Sequence, residues 1–134
     1  MHIASIAILV RDYDEALRYY TDALGFELIE DAALEDGKRW LLVAPPGSAE
    51  TRLLLAKAAG AEQLAQVGHQ CGGRVFLILY SDNFERDYRA FMARGVRFRE
   101  TPRHEAYGIV AVFEDLYGNL WDLLQPKPLP KNRA

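Results

Sequence analysis

The feature that most constrains this chain is that it repeats itself. Asp12, Glu15, Ala23 and Gly25 recur as Asp82, Glu85, Ala93 and Gly95, each 70 residues further on. In the first half, residues 3–10 are apolar and rich in β-branched side chains, which predicts a buried strand. Asp12 then caps a segment in which Ala16, Leu17, Tyr20 and Leu24 recur at helical spacing, and Gly25 stops it. Residues 26–30 alternate as a strand. After a turn at Asp36-Gly37, residues 38–44 form another, ended by Pro45-Pro46-Gly47, and residues 51–57 a fourth. In the second half, residues 75–80 form a strand and Asp82 caps a helix reaching Arg94. Gly95 stops that helix, and strands follow at 96–100, 108–114 and 120–125. Neither βαβββ unit can cover its own sheet, so the two must share a core. The expected fold class is α+β, tandem βαβββ repeats forming a cupped mixed sheet. A single domain spans residues 1–130, with halves at about 1–58 and 74–126, a linker at 59–73 and a tail at 127–134.

Composition narrows the function classes. Half of the 134 residues are apolar, enough for one real core. A net charge of -3 and a pI near 5.6 supply no bulk attraction for nucleic acid or for an anionic membrane surface. No apolar run approaches the roughly 20 residues that span a bilayer. The first residues lack the basic leader of a signal peptide. Cys71 is the sole cysteine, which excludes an intrachain disulfide and fits a reducing, cytoplasmic setting.

Two motifs, one in each half, carry a resemblance. Val10-Arg11-Asp12 leads to Tyr19-Tyr20-Thr21-Asp22-Ala23-Leu24-Gly25-Phe26, and the second half ends in Phe113-Glu114-Asp115-Leu116-Tyr117-Gly118-Asn119-Leu120-Trp121-Asp122-Leu123. With the duplicated βαβββ order, these resemble the vicinal-oxygen-chelate superfamily of glyoxalase I, bleomycin-resistance proteins and extradiol dioxygenases. The likeness spans residues 3–125. Both motifs also have plain structural roles: Gly25 as a left-handed helix stop and Gly118-Asn119 as a tight turn.

The resemblance implies a cavity inside the sheet and, in metal-dependent members, an open divalent site that polarises a carbonyl or enediolate. Carried over place by place, the ligand pattern falls on Ser5, on Val75 or Phe76, and on the fourth strand, where Arg52, Leu54 and Ala56 face one way and Leu53 and Leu55 the other. Only Asp122 keeps a carboxylate. His2, His69 and His104 fall elsewhere. A divalent metal is therefore disfavoured, and no other cofactor is indicated.

The cavity's expected lining is Ser5, Trp40, Arg52, Arg74, Phe76, Arg103, His104, Tyr107 and Asp122. Asp122 should face inward beside Leu120 and Leu124, with Arg52, Arg74 or Arg103 as its partner. It either forms a structural ion pair or contacts ligand. Residues 102–108 form the densest polar cluster, expected as a loop on the sheet rim. There Glu105 could act as a base and Tyr107 could line the pocket, or Arg103 and Glu105 could pair in solvent; His104 reads best as solvated. Cys71 is expected in packing. Tyr80, Tyr88, Phe91 and Phe98 are expected mostly in helix–sheet core, with Trp40 at a pocket or interface.

Three functions fit. The first is a homodimeric binder of a small organic molecule, as the bleomycin-resistance branch implies. The second is a lyase or isomerase using Asp122, Glu105, Tyr107 or His104, or an atypical dioxygenase-like enzyme. The third is an interaction module whose pocket is vestigial.

Overall fold

The structure, a computed structural model, describes residues 1–128; the last six residues of the expected tail lie outside the described residues. The first half contains β1 (Ser5–Val10), α1 (Tyr13–Arg18), β2 (Glu27–Ala33), β3 (Arg39–Ala44) and β4 (Arg52–Lys57). A linker helix, α2 (Gly60–Gln66), follows. The second half contains β5 (Val75–Tyr80), α3 (Phe84–Ala93), β6 (Arg97–Phe98), β7 (Arg103–Glu105), β8 (Gly108–Glu114) and β9 (Leu120–Pro126). The fold is α+β, as the repeat predicts. The expected single curved sheet is instead two hydrogen-bonded sheets that share a core. One runs β1-β4-β3-β2; the other runs β5-β9-β8-β6, with β7 on β8. In each, the first strand pairs in parallel with the last, and the remaining pairs are antiparallel. No helix among the described residues is long and apolar enough to cross a membrane.

Helix entry differs slightly between the halves. The Asp12 carboxylate accepts a hydrogen bond from the Glu15 amide at 2.8 Å, satisfying one of the first turn's free N–H groups. The last turn of this helix widens into a π-helical stretch at Tyr19–Ala23 before Gly25, whose φ of 71° is the left-handed conformation expected of a stop. In the second half the cap is Asn83, not Asp82. The Asn83 side chain accepts from the Arg86 amide at 3.1 Å, while Asp82 pairs with the Arg86 guanidinium. Ser81 causes the displacement, because its hydroxyl accepts from the Asn83 amide at 3.0 Å and draws the chain one residue further before the helix starts.

Strand alternation decides the core. Ile8 and Val10 on β1, Leu41 and Val43 on β3, and Leu53 and Leu55 on β4 face the helices and are buried. The matching face of the second half is aromatic. Phe91, Phe98, Phe113 and Trp121 pack in sequence, with ring centroids 5.4–6.5 Å apart, and Phe26 and Tyr20 continue the cluster from the first half. Burying each such side chain contributes about 1.5–3 kcal/mol. Tyr88 joins this core with Phe91 and Phe98, but Tyr80 does not: it is exposed on the opposite side of β5.

A single carboxylate ties the halves together. Asp115, only 1% exposed, begins the β8–β9 turn and accepts from the Tyr20 hydroxyl at 2.8 Å and the Trp121 indole at 3.1 Å. The Tyr117 and Asn119 amides and the Asn119 Nδ2 supply three more donors at 2.9–3.1 Å. A buried charge is tolerable only with such saturation. Burial, and then the adjacent Asp115, hold the Tyr20 phenol well above the usual tyrosine range.

Candidate functional site

The site candidates lie on the faces of the two sheets that look away from the helices. In the first half that face carries Ser5, Ala7, Trp40, Arg52, Leu54 and Ala56, which alternate with the buried set. In the second half it carries Ile78 and Tyr80 from β5, Val112 from β8, and Leu120 and Asp122 from β9. Large apolar groups are left open here: Trp40 is 39% exposed, Ile78 59% and Tyr80 70%. Single exposed apolar residues such as Trp40 need no explanation, but Ile78 and Tyr80 together on one side of β5 do.

Asp122 sits in the middle of the second face, between Ile78 of β5 and Val112 of β8 in register. Trp121 and Leu123 pack behind it, as alternation predicts. Its carboxyl pKa is raised, chiefly by burial; Arg103 pulls it down and Glu100 pushes it up. Of the three arginines expected as partners, Arg103 is the one whose charge reaches it. Arg103 is itself held by Glu100 at 2.9 Å and by Glu105 at 2.8 Å. Glu100 also accepts from the Val112 amide at 3.2 Å, so it is fixed to the sheet. The second face thus holds three carboxylates around one guanidinium.

Glu100 was missed from sequence, although its spacing of three from Arg103 was visible. The polar cluster is also no loop: Arg103–Glu105 is a short strand paired with β8, and the turn at Ala106-Tyr107 makes a hairpin. Tyr107 is half exposed at that turn, on the rim, and His104 is exposed, as the solvated reading has it.

The other expected residues lie apart. Arg52 starts β4 opposite Ser5, and its Nη1 donates to the carbonyl oxygens of Ser48 and Glu50 at 3.2 and 2.6 Å. The last strands of the halves begin at Arg52 and Leu120, 68 residues apart. Gly25 precedes Arg52 by 27 residues and Gly95 precedes Leu120 by only 25, so Leu54, rather than Arg52, is the counterpart of Asp122. Arg74 and Phe76 line a smaller cavity against the linker, together with Cys71, which is exposed rather than packed. A groove of about 640 Å³ between the halves, lined by Phe26, Pro45, Leu79, Ser81, Arg86 and Gln125 among others, includes none of the expected residues.

The donor set does not fit the ion implied by the family resemblance. Ser5, Val75 and Phe76 offer no strong ligand, and among the described residues no group of three or more His, Cys, Asp or Glu side chains could hold a metal.

This architecture, paired βαβββ units with their open faces turned from a common core, defines a class that the comparisons identify directly. The model of the glyoxalase/bleomycin resistance protein/dioxygenase superfamily matches residues 2–123, and the chain belongs to that superfamily. An uncharacterized protein of Shewanella frigidimarina is 54% identical over 92% of both chains. Among solved structures, TnmS3, an antibiotic binding protein from Streptomyces sp. CB03234, is 30% identical with a TM-score of 0.78, covering 95% of this chain and 97% of its own. A superfamily member from Sphaerobacter thermophilus is 28% identical with a TM-score of 0.80, covering 93% and 97%.

Proposed function

We propose that this protein binds a small organic molecule against the open sheet face, as a homodimer and without the divalent ion of its metal-dependent relatives. The observation that carries the reading is the open apolar face around a half-buried carboxylate. Ile78, Tyr80 and Trp40 are exposed on helix-averted faces, with Asp122 and Arg103 as the polar groups that would orient a ligand. Each face is one wall of a cavity, and a second copy of the chain supplies the other by setting its first-half face over the second-half face. The kinship with an antibiotic binding protein supports an organic ligand of that kind, and the exposed Trp40, Ile78 and Tyr80 favour aromatic or apolar groups in it. Binding on this reading is an equilibrium event that needs no bond making.

The test is thermal denaturation of chelator-treated protein against a panel of aromatic antibiotics. A ligand that binds the native state alone raises Tm, by an amount that grows with the logarithm of its concentration above Kd. Stabilisation that survives chelation and is lost in Tyr80→Ala and Asp122→Asn is expected. Stabilisation only when a divalent ion is restored would overturn the metal-free part of the reading. No stabilisation by any member would count against this ligand class.

An acid–base enzyme is the second reading, favoured by the raised pKa of Asp122. Turnover abolished in Asp122→Asn would select it.

A further inference from the structure

An arginine in a binding site ordinarily marks an anion, because its planar donors fit a carboxylate or a phosphate. The arginines on the open side of these sheets are already engaged by acceptors of the chain itself. Arg52 donates to the carbonyl oxygens of Ser48 and Glu50 at 3.2 and 2.6 Å. Arg103 is held between Glu100 at 2.9 Å and Glu105 at 2.8 Å. Arg97 and Arg99, at the outer edge, share Glu114 at 3.9 and 3.4 Å, and both are more than half exposed.

Asp122 is the charged group left without a partner. Register sets it between Ile78 and Val112, and Leu120 and Leu124 are its neighbours on the same face of β9. Trp121 and Leu123, on either side of it in sequence, are only 3% and 1% exposed, so alternation directs the Asp122 carboxylate to the open side. The residue is half-buried among these apolar groups, and burial is the largest influence on its raised carboxyl. Among the described residues it accepts no hydrogen bond and makes no ion pair. Arg103 acts on it through its field alone, and Glu100 opposes that field. With Glu105 included, three carboxylates surround one guanidinium, which leaves the cluster negative.

A partly desolvated carboxylate without a donor is unfavourable, and a cation brought to it relieves the cost. The groups nearby fit the rest of such a molecule. Ile78 and Tyr80 lie on the same face of β5, 59% and 70% exposed, and the face of a tyrosine ring itself attracts cations.

Resting on the sheet-face reading, we propose that the ligand is an organic cation, a protonated amine on an apolar or aromatic frame, whose ammonium group meets Asp122. Arg103 is then no anchor. Its place between Glu100 and Glu105 withholds it from a ligand's carboxylate, so the face selects against anions although it displays a guanidinium.

Three probes that share one ring system and differ in the end group test the sign of this selection: naphthylmethylamine, cationic at neutral pH, naphthylmethanol and naphthoate, all substituted at the same ring position. Calorimetry at matched ionic strength gives their Kd values for the natural protein. The amine is expected to bind about ten-fold tighter than the alcohol, the margin of a charge-assisted hydrogen bond over a neutral one, with the carboxylate weakest. Asp122→Asn keeps the shape of the site and removes the charge. In that variant the amine and the alcohol should bind within about two-fold of each other, since the remaining charges are more distant and screened. Tyr80→Ala should weaken all three probes, which ties the binding to the sheet face.

A carboxylate that bound tightest would make Arg103 the anchor and overturn the proposal, as would equal binding of amine and alcohol to the natural protein. A preference for the amine that survived in Asp122→Asn would place the cation elsewhere and overturn it as well. Those results leave the sheet-face reading standing and remove only the ligand class. Binding of none of the probes, or binding untouched by Tyr80→Ala, would sink both.

Discussion

The two halves share a backbone plan and differ in what they put on each side of it. Towards the helices the first half is aliphatic, built on Ile8, Leu41 and Leu55, whereas the second is aromatic, built on Phe91, Phe113 and Trp121. On the open side the first half offers Trp40, Leu54 and one arginine occupied by backbone carbonyls. The second offers Asp122, Glu100, Glu105 and Arg103, with an added strand. A turn before the last strand closes each half. In the first half it reads Pro45-Pro46-Gly47; in the second it holds Asp115 and its five donors. Duplication preserved the topology. The chemistry accumulated in the second copy.

That contrast is open to test. Asp115→Ala should cost about 3–5 kcal/mol, because several buried donors lose their acceptor at once. Pro45→Ala, at the corresponding place in the first half, should cost less than about 1 kcal/mol. Urea denaturation measures both, and comparable losses would break the asymmetry. Tyr20→Phe removes only the donor that crosses between halves and should cost roughly 1.5–3 kcal/mol by the same measurement. At the helix starts the halves should behave alike. Asp12→Ala and Asn83→Ala should each cost about 1 kcal/mol. Asp82→Ala should cost about 0.5 kcal/mol or less, since its ion pair with Arg86 is exposed.

The smallest effect is a pH dependence. The folded-state pKa of Asp122 is raised, mainly by burial, so its contribution to stability is present below the unfolded carboxylate value and is lost as pH rises through the folded one. Asp122→Asn should therefore be slightly more stable than the natural protein at pH 7, with the advantage gone near pH 3.5. Urea melts at the two pH values check the sign. The reverse order would mean that Asp122 is stabilised as the anion.

The repeat made the topology legible, because a glycine stop and an apolar alternation are local properties. The 70-residue offset carries β1 onto β5 directly. It fails at the last strands, because the second half has two fewer residues between its glycine stop and its last strand, which changes the count to 68. The cap at Asn83 was misread for a different reason, since it depends on a hydroxyl contact from Ser81. Residues 103–105 looked like a loop because they are charged, yet a charged segment on a sheet edge can pair through its backbone alone. Asp122 could be assigned a face by alternation. Arg103 stood as one of three candidate partners that alternation could not choose among, and Glu100 was not among them, since both arrive from a different part of the chain. The role of Asp115 stayed hidden behind its turn motif, because three of its five donors are local but Tyr20 and Trp121 come from packed elements.

The central claim, that ligand binds on the side of the sheets turned from the helices, has a direct probe in the two tryptophans. Trp40 is on the open face and Trp121 is in the core. A stabilising ligand should change the tryptophan emission of the natural protein, and that change should vanish in Trp40→Phe, which retains Trp121. If the same change persisted in Trp40→Phe, the ligand would be reaching the core side, and the assignment of the binding face would be contradicted.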